Sequence, residues 1–129
     1  MGQTLAVAVI MLGVVAGPAS SAAGAGPSTV RVSVSAAGAE ANAASGQGGV
    51  VVSGDGRFVA FVSDASNLVA GDGNGVVDVF VRDLRSKTTE RVSVSSAEVE
   101  GDAASSAGGL AISPGGRFVT FTSLATNLA

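Results

Sequence analysis

Apolar and polar positions alternate with period two over short runs along this chain, and the runs are separated by stretches of Gly, Ala, Ser, Asn and Asp. That alternation predicts strands with one solvated side at residues 30–35 (VRVSVS) and 88–95 (TTERVSVS). Shorter β-branched runs at 49–53 (GVVVS) and 78–84 (DVFVRDL) predict two more. Residues 57–63 (RFVAFVS) differ, because Phe58, Ala60 and Val62 fall on one face and Val59 and Phe61 on the other. Both faces of that strand are apolar, so it must lie between two packed layers. Residues 36–48, 64–77 and 96–108 show no apolar period and read as loops. No helical period occurs after the N-terminal region, which makes the expected fold all-β.

The text repeats at a spacing of sixty. Residues 31–69 align with 91–129 without a gap, and 22 of the 39 positions are identical. GRFVAFVS (56–63) returns as GRFVTFTS (116–123), RVSVS as RVSVS, and Asn67-Leu68 as Asn127-Leu128. A fixed period of several short strands points to propellers or stacked arrays, whose units bury their faces on one another. Each unit is expected to be a four-stranded antiparallel sheet. The turns Ser53-Gly54-Asp55-Gly56 and Ser113-Pro114-Gly115-Gly116 join the first two strands of each unit as a hairpin, Pro suiting the second position of a type I turn. The expected division is a signal peptide at 1–25, a linker and the outer strand of a ring-closing blade at 26–35, a complete blade at 36–95 and the first half of a truncated blade at 96–129. On that reading the chain is the N-terminal fragment of a longer protein.

The N-terminus changes the picture of where the protein resides. Residues 5–16 (LAVAVIMLGVVA) form an uncharged apolar run followed by Gly17-Pro18 and small residues. About a dozen residues suit a secretory signal and are too few for a span of about 20. Cleavage is expected after Ala25 or Ala22, although residues 1–4 lack the usual Lys or Arg. The expectation is a secreted or periplasmic protein with no membrane span after cleavage.

Composition excludes several chemistries. There is no Cys and no His, and the net charge is −3 with only 13% charged residues. A basic stripe for nucleic acid is therefore missing. Without His, and with Lys87 the only Lys, a Ser-His-Asp or Ser-Lys nucleophile has no base, and zinc has no customary ligands. No catalytic residues are assigned, and no resident cofactor is expected.

The text SGDGRFVAFVS, followed by DVFVRDL and TTERVSVS, resembles the TolB-type β-propeller repeat, a relative of the WD-repeat blades. Gly54 stands where that family usually has Pro, which Pro114 keeps; Gly115 stands where it has Asp, which Asp55 keeps. The resemblance implies a partial β-propeller, one four-stranded blade with pieces of two neighbours, acting as a binding or scaffold surface. An alternative is the noncatalytic propeller of an oligopeptidase-like hydrolase whose catalytic domain is missing from this chain.

Strand order puts the loops 64–77 and 96–108 at one end of the unit and the tight turns at the other. Function concentrates on long loops held by a rigid scaffold, so a protein or small-molecule ligand is expected at the loop-rich end. Within it Asp72, Asn74 and Asp78 carry oxygens at positions 1, 3 and 7 of an acidic loop, a partial calcium pattern lacking the Glu at position 12. The competing reading is a turn whose Asp and Asn bond their own backbone. Calcium would make the chain a calcium-stabilised interaction module. Arg57, Arg117, Asp83 and Glu90 read as ion pairs at the sheet edge.

Overall fold

The computed structural model describes residues 29–129 and, as backbone, the strand Thr4–Val9. The expected signal peptide and its cleavage sites lie otherwise outside the described residues. In chain order the strands are β1 (Thr4–Val9), β2 (Ser45–Val52), β3 (Phe58–Ser63), β4 (Asp78–Asp83), β5 (Thr88–Arg91), β6 (Ser105–Ile112) and β7 (Phe118–Ser123). There is no helix among the described residues. One sheet has the order β2-β3-β4-β5 and the other β1-β7-β6, with every pairing antiparallel. The two sheets do not close into a barrel.

All six residues of β3 are buried, as its two apolar faces require. Phe58, Ala60 and Val62 join Val79, Val81, Val92, Val119 and Phe121 in a cluster shared with the second sheet. Phe61, on the opposite face, packs with Phe80, Ala65 and Leu68, its ring centroid 5.9 Å from that of Phe80. Val32 and Ala41, from the segment before β2, cover that cluster. The two central strands of the first sheet, β3 and β4, are thus dry on both sides.

The hairpin turns close as expected: Gly56 N donates to Ser53 O (2.8 Å), Gly116 N donates to Ser113 O (2.9 Å), and each serine hydroxyl accepts from the following Phe amide. The left-handed residues are Gly56 (φ 71°) and Gly116 (φ 72°), the last of each turn, where a side chain would be strained.

Two expectations are corrected. Residues 45–48 and 105–108 belong to β2 and β6 rather than to loops. Register shifts in β2, between Ser45↔Ser63 and Val50↔Phe61, and the irregularity erases the alternation that would have revealed the strand. Conversely, residues 30–35 form no ladder, so the outer strand expected there does not form. Val34 makes a single bridge to Glu40 across a tight turn, and Val94 repeats it with Glu100. The segment is held instead by side chains of the first sheet. Thr89 Oγ1 donates to Val34 O (2.6 Å) and Arg82 Nη1 to Ser35 O (3.1 Å). The fourth strand accordingly stops at Arg91, short of the expected Ser95.

Thr4–Val9 pairs with β7 from Thr4↔Ser123 to Val9↔Phe118. β4 pairs with β3 from Asp78↔Ser63 to Asp83↔Phe58. Shifted by sixty these registers are the same, so β1 lies in the second unit where β4 lies in the first.

Candidate functional site

Strand order carries the connections 64–77 and 92–104 to one end of the first sheet, and they touch there. Gly73 N donates to Glu100 Oε2 (3.1 Å) and Asn74 Nδ2 to Gly101 O (3.0 Å). The loop-rich end expected from topology is therefore one continuous surface.

Its organising side chain is Arg91, at the end of β5. Nη1 lies 3.0 Å from Asp72, 3.0 Å from Glu100 and 3.4 Å from Asp78. Asp78 is buried, and it is also held by Ser93 Oγ and Asn74 Nδ2. Burial pushes the Asp72 carboxyl up; Arg91 opposes that shift, and Asp78 and Glu100 add to it. The Gly73 amide and Arg91 hold Glu100 below the usual carboxylate range.

The structure thus brings together Asp72, Asn74 and Asp78, the residues of the partial calcium pattern, but Asp72 and Asp78 face a guanidinium and Asn74 Nδ2 donates to Asp78. Asn74 Oδ1 accepts from Val76 N (3.2 Å), the local turn bond that competes with metal ligation. Among the described residues no group of three or more His, Cys, Asp or Glu is arranged to hold a metal ion. Arg91 escaped the reading of the sequence, though a signal was present. Arg31 and Glu40 recur sixty residues on as Arg91 and Glu100, and Arg31 also pairs with Glu40.

Other repeated polar residues prove to be fasteners. Asn67 Oδ1 accepts from Asn42 N (2.9 Å) and its Nδ2 donates to Glu40 O (2.7 Å). Asn127 makes the same two bonds, to Asp102 N (3.0 Å) and Glu100 O (2.8 Å). Ser63 meets Ser45, and Ser123 meets Ser105, across the bulged end of each hairpin. These side chains tie each loop to the preceding turn.

At the opposite end Arg57 grips Asp83 with two bonds, Nε–Oδ1 3.0 Å and Nη2–Oδ2 2.6 Å. Burial opposes ionisation of Asp83. Even so, Arg57 together with the Arg85 and Ser86 amides holds its carboxyl well below the usual range. This pair is largely enclosed rather than an exposed edge pair as expected. Glu90 is exposed, and Arg117 stacks its guanidinium 5.3 Å from the Phe118 ring centroid.

Between the two sheets, at the loop-rich end, lies a cleft of about 350 Å³. Val62, Val77 and Ala107 give it apolar walls, and the exposed Gln47, Asp64 and Ser106 line it with polar groups. The buried Ser63 and Ser105 also line it, but their hydroxyls are already engaged with Ser45 and Ser123. Such a cleft offers an apolar recess with a few convergent polar groups, the composition of a small recognition site. No helix of the described residues is long and apolar enough to cross a membrane. Compared with known proteins, the chain matches no family model, no curated protein and no solved structure.

Proposed function

We propose that the chain carries blades of a secreted or periplasmic TolB-type β-propeller that serves as a binding or scaffold surface through its loop-rich end. One observation supports this reading above the rest: β3 is dry on both faces, with the repeated strand-turn-strand of the next unit against one of them. Units so packed, and set at a constant angle, radiate from an axis as propeller blades do. The cleft between the sheets is where a protein segment or small ligand would be taken.

Chains carrying three to eight copies of residues 36–95 test the architecture. A ring gives a radius of gyration that levels off, with a jump in stability at the closing number; an array that keeps lengthening refutes the propeller. For the surface, immobilised full chain is exposed to periplasmic extract. Retention lost in a Gln47→Ala/Asp64→Ala variant and kept in Pro114→Ala supports recognition at the cleft. Equal retention in both rejects it.

A further inference from the structure

The contact between the two repeats has two unlike sides. One is the face of the first sheet bearing Phe58, Ala60 and Val62; the other is the face of the second bearing Val119 and Phe121, bordered by Leu110 and Ile112. Phe58 seats over Gly116, where a Cβ would lie 2.1 Å from ring atom Cδ2, so the seat requires glycine. The main chains meet as well, Asp55 N donating to Pro114 O (3.0 Å).

Because the text repeats at sixty, each unit carries both sides, and among the described residues each leaves one side partly exposed. The second unit's knob is Phe118, 42% exposed although its counterpart Phe58 is 3% exposed. The first unit's seat is Gly56, where no atom of the described residues lies within 4 Å of an added Cβ. Beside it Val50 and Val52, the counterparts of Leu110 and Ile112, are 50% and 58% exposed. Val32 and Ala41 pack at the Phe61 side of that face and leave Val50 and Val52 exposed.

We infer that these two surfaces are the halves of a head-to-tail contact between copies of this chain. Phe118 of one copy seats over Gly56 of the next, as Phe58 seats over Gly116 within the chain. The occupant is a second copy because the chain itself presents the complementary knob, matched to the same glycine seat already filled once internally. Thr120 and Thr122 replace Ala60 and Val62 on the knob side, so the contact between copies is weaker than the one within the chain and reversible. Unlike sides make the contact heterologous, giving rings or open chains rather than closed dimers. This inference stands on the packing between the repeats whether or not they surround an axis, so its failure leaves the concatenated-copy test intact.

Sedimentation velocity of the full chain over rising concentration reads the contact. The expected result is a weight-average mass that grows past the dimer. Phe118→Glu, with its knob spoiled, and Val52→Lys, with its seat spoiled, are each expected to be monomeric. Mixed one to one, they should form a dimer and nothing larger, through the one intact knob and the one intact seat. A wild type that stays monomeric overturns the inference, as does either variant associating like wild type or a mixture that fails to pair. Both positions are exposed, and circular dichroism checks the fold; should Phe118→Glu unfold, Phe118→Thr takes its place with the same expectations.

Discussion

Phe58 and Phe118 occupy the same place in two copies of one sentence of sequence, yet one is buried and the other is nearly half exposed. Their neighbours diverge in the same way. Arg57 finds Asp83 on the adjacent strand, whereas the register position facing Phe118 belongs to Val9, which has no carboxylate. Both arginines also lie over the neighbouring Phe ring, Arg57 over Phe58 and Arg117 over Phe118. The environment of a repeat, and not its text, decides what its residues contribute. The central strands of the first unit are buried on both faces, whereas β7 of the second is fully buried on one only.

The sharpest way to break this comparison is to truncate the two rings. Phe58→Ala is expected to cost about 3–5 kcal/mol, as deletion of a buried aromatic does, and Phe118→Ala about 1 kcal/mol or less. Urea unfolding of both variants measures the difference, and equal losses would mean that Phe118 is covered in solution.

Next come the glycines. Gly116→Ala meets both a left-handed backbone and the Phe58 ring, for an expected loss of about 2–4 kcal/mol. Gly56→Ala meets the backbone strain alone, about 1–2 kcal/mol. Pairing Gly116→Ala with Phe58→Ala should shrink its loss toward that of Gly56→Ala, which a double-mutant cycle reads.

A third difference depends on pH. The folded Asp83 carboxyl is held below its unfolded value of about 3.9. It therefore contributes stability that is complete above that pH and drains away as pH falls through the depressed folded value. Asp83→Asn is expected to lower the urea midpoint at neutral pH and to flatten its fall in acid. Arg117 has no such partner among the described residues, and Arg117→Ala should leave the acid limb as in wild type.

The smallest effect is expected to be the same in both units. Asn67→Ala and Asn127→Ala each remove two bonds between a loop and the preceding turn, at about 1 kcal/mol apiece. Unequal losses would show that one fastener bears more than the other.

Much of the fold was legible because period and turn chemistry are local. The alternation in RFVAFVS gave β3 and its two dry faces, and Ser-Pro-Gly-Gly gave the hairpin. Residues 45–48 were illegible because the irregular register cancels the period. Residues 30–35 misled because an alternating run needs a neighbouring strand edge to become a strand, and this one meets side chains instead. At the loop-rich end the acidic spacing of Asp72, Asn74 and Asp78 was visible, but the cation that faces them comes from a strand thirteen residues beyond Asp78.

By itself the sequence determined an all-β chain, a sixty-residue unit, its hairpins and the strand that tolerates no water, since these follow from neighbouring residues and their periodicity. Tertiary structure alone decided that Arg91 gathers three carboxylates, that Phe58 needs Gly116, and that one copy of a duplicated text is enclosed while the other is half bare. Those outcomes depend on which distant segments meet, and a contact between segments is settled by the packing of the whole rather than by either segment's own pattern.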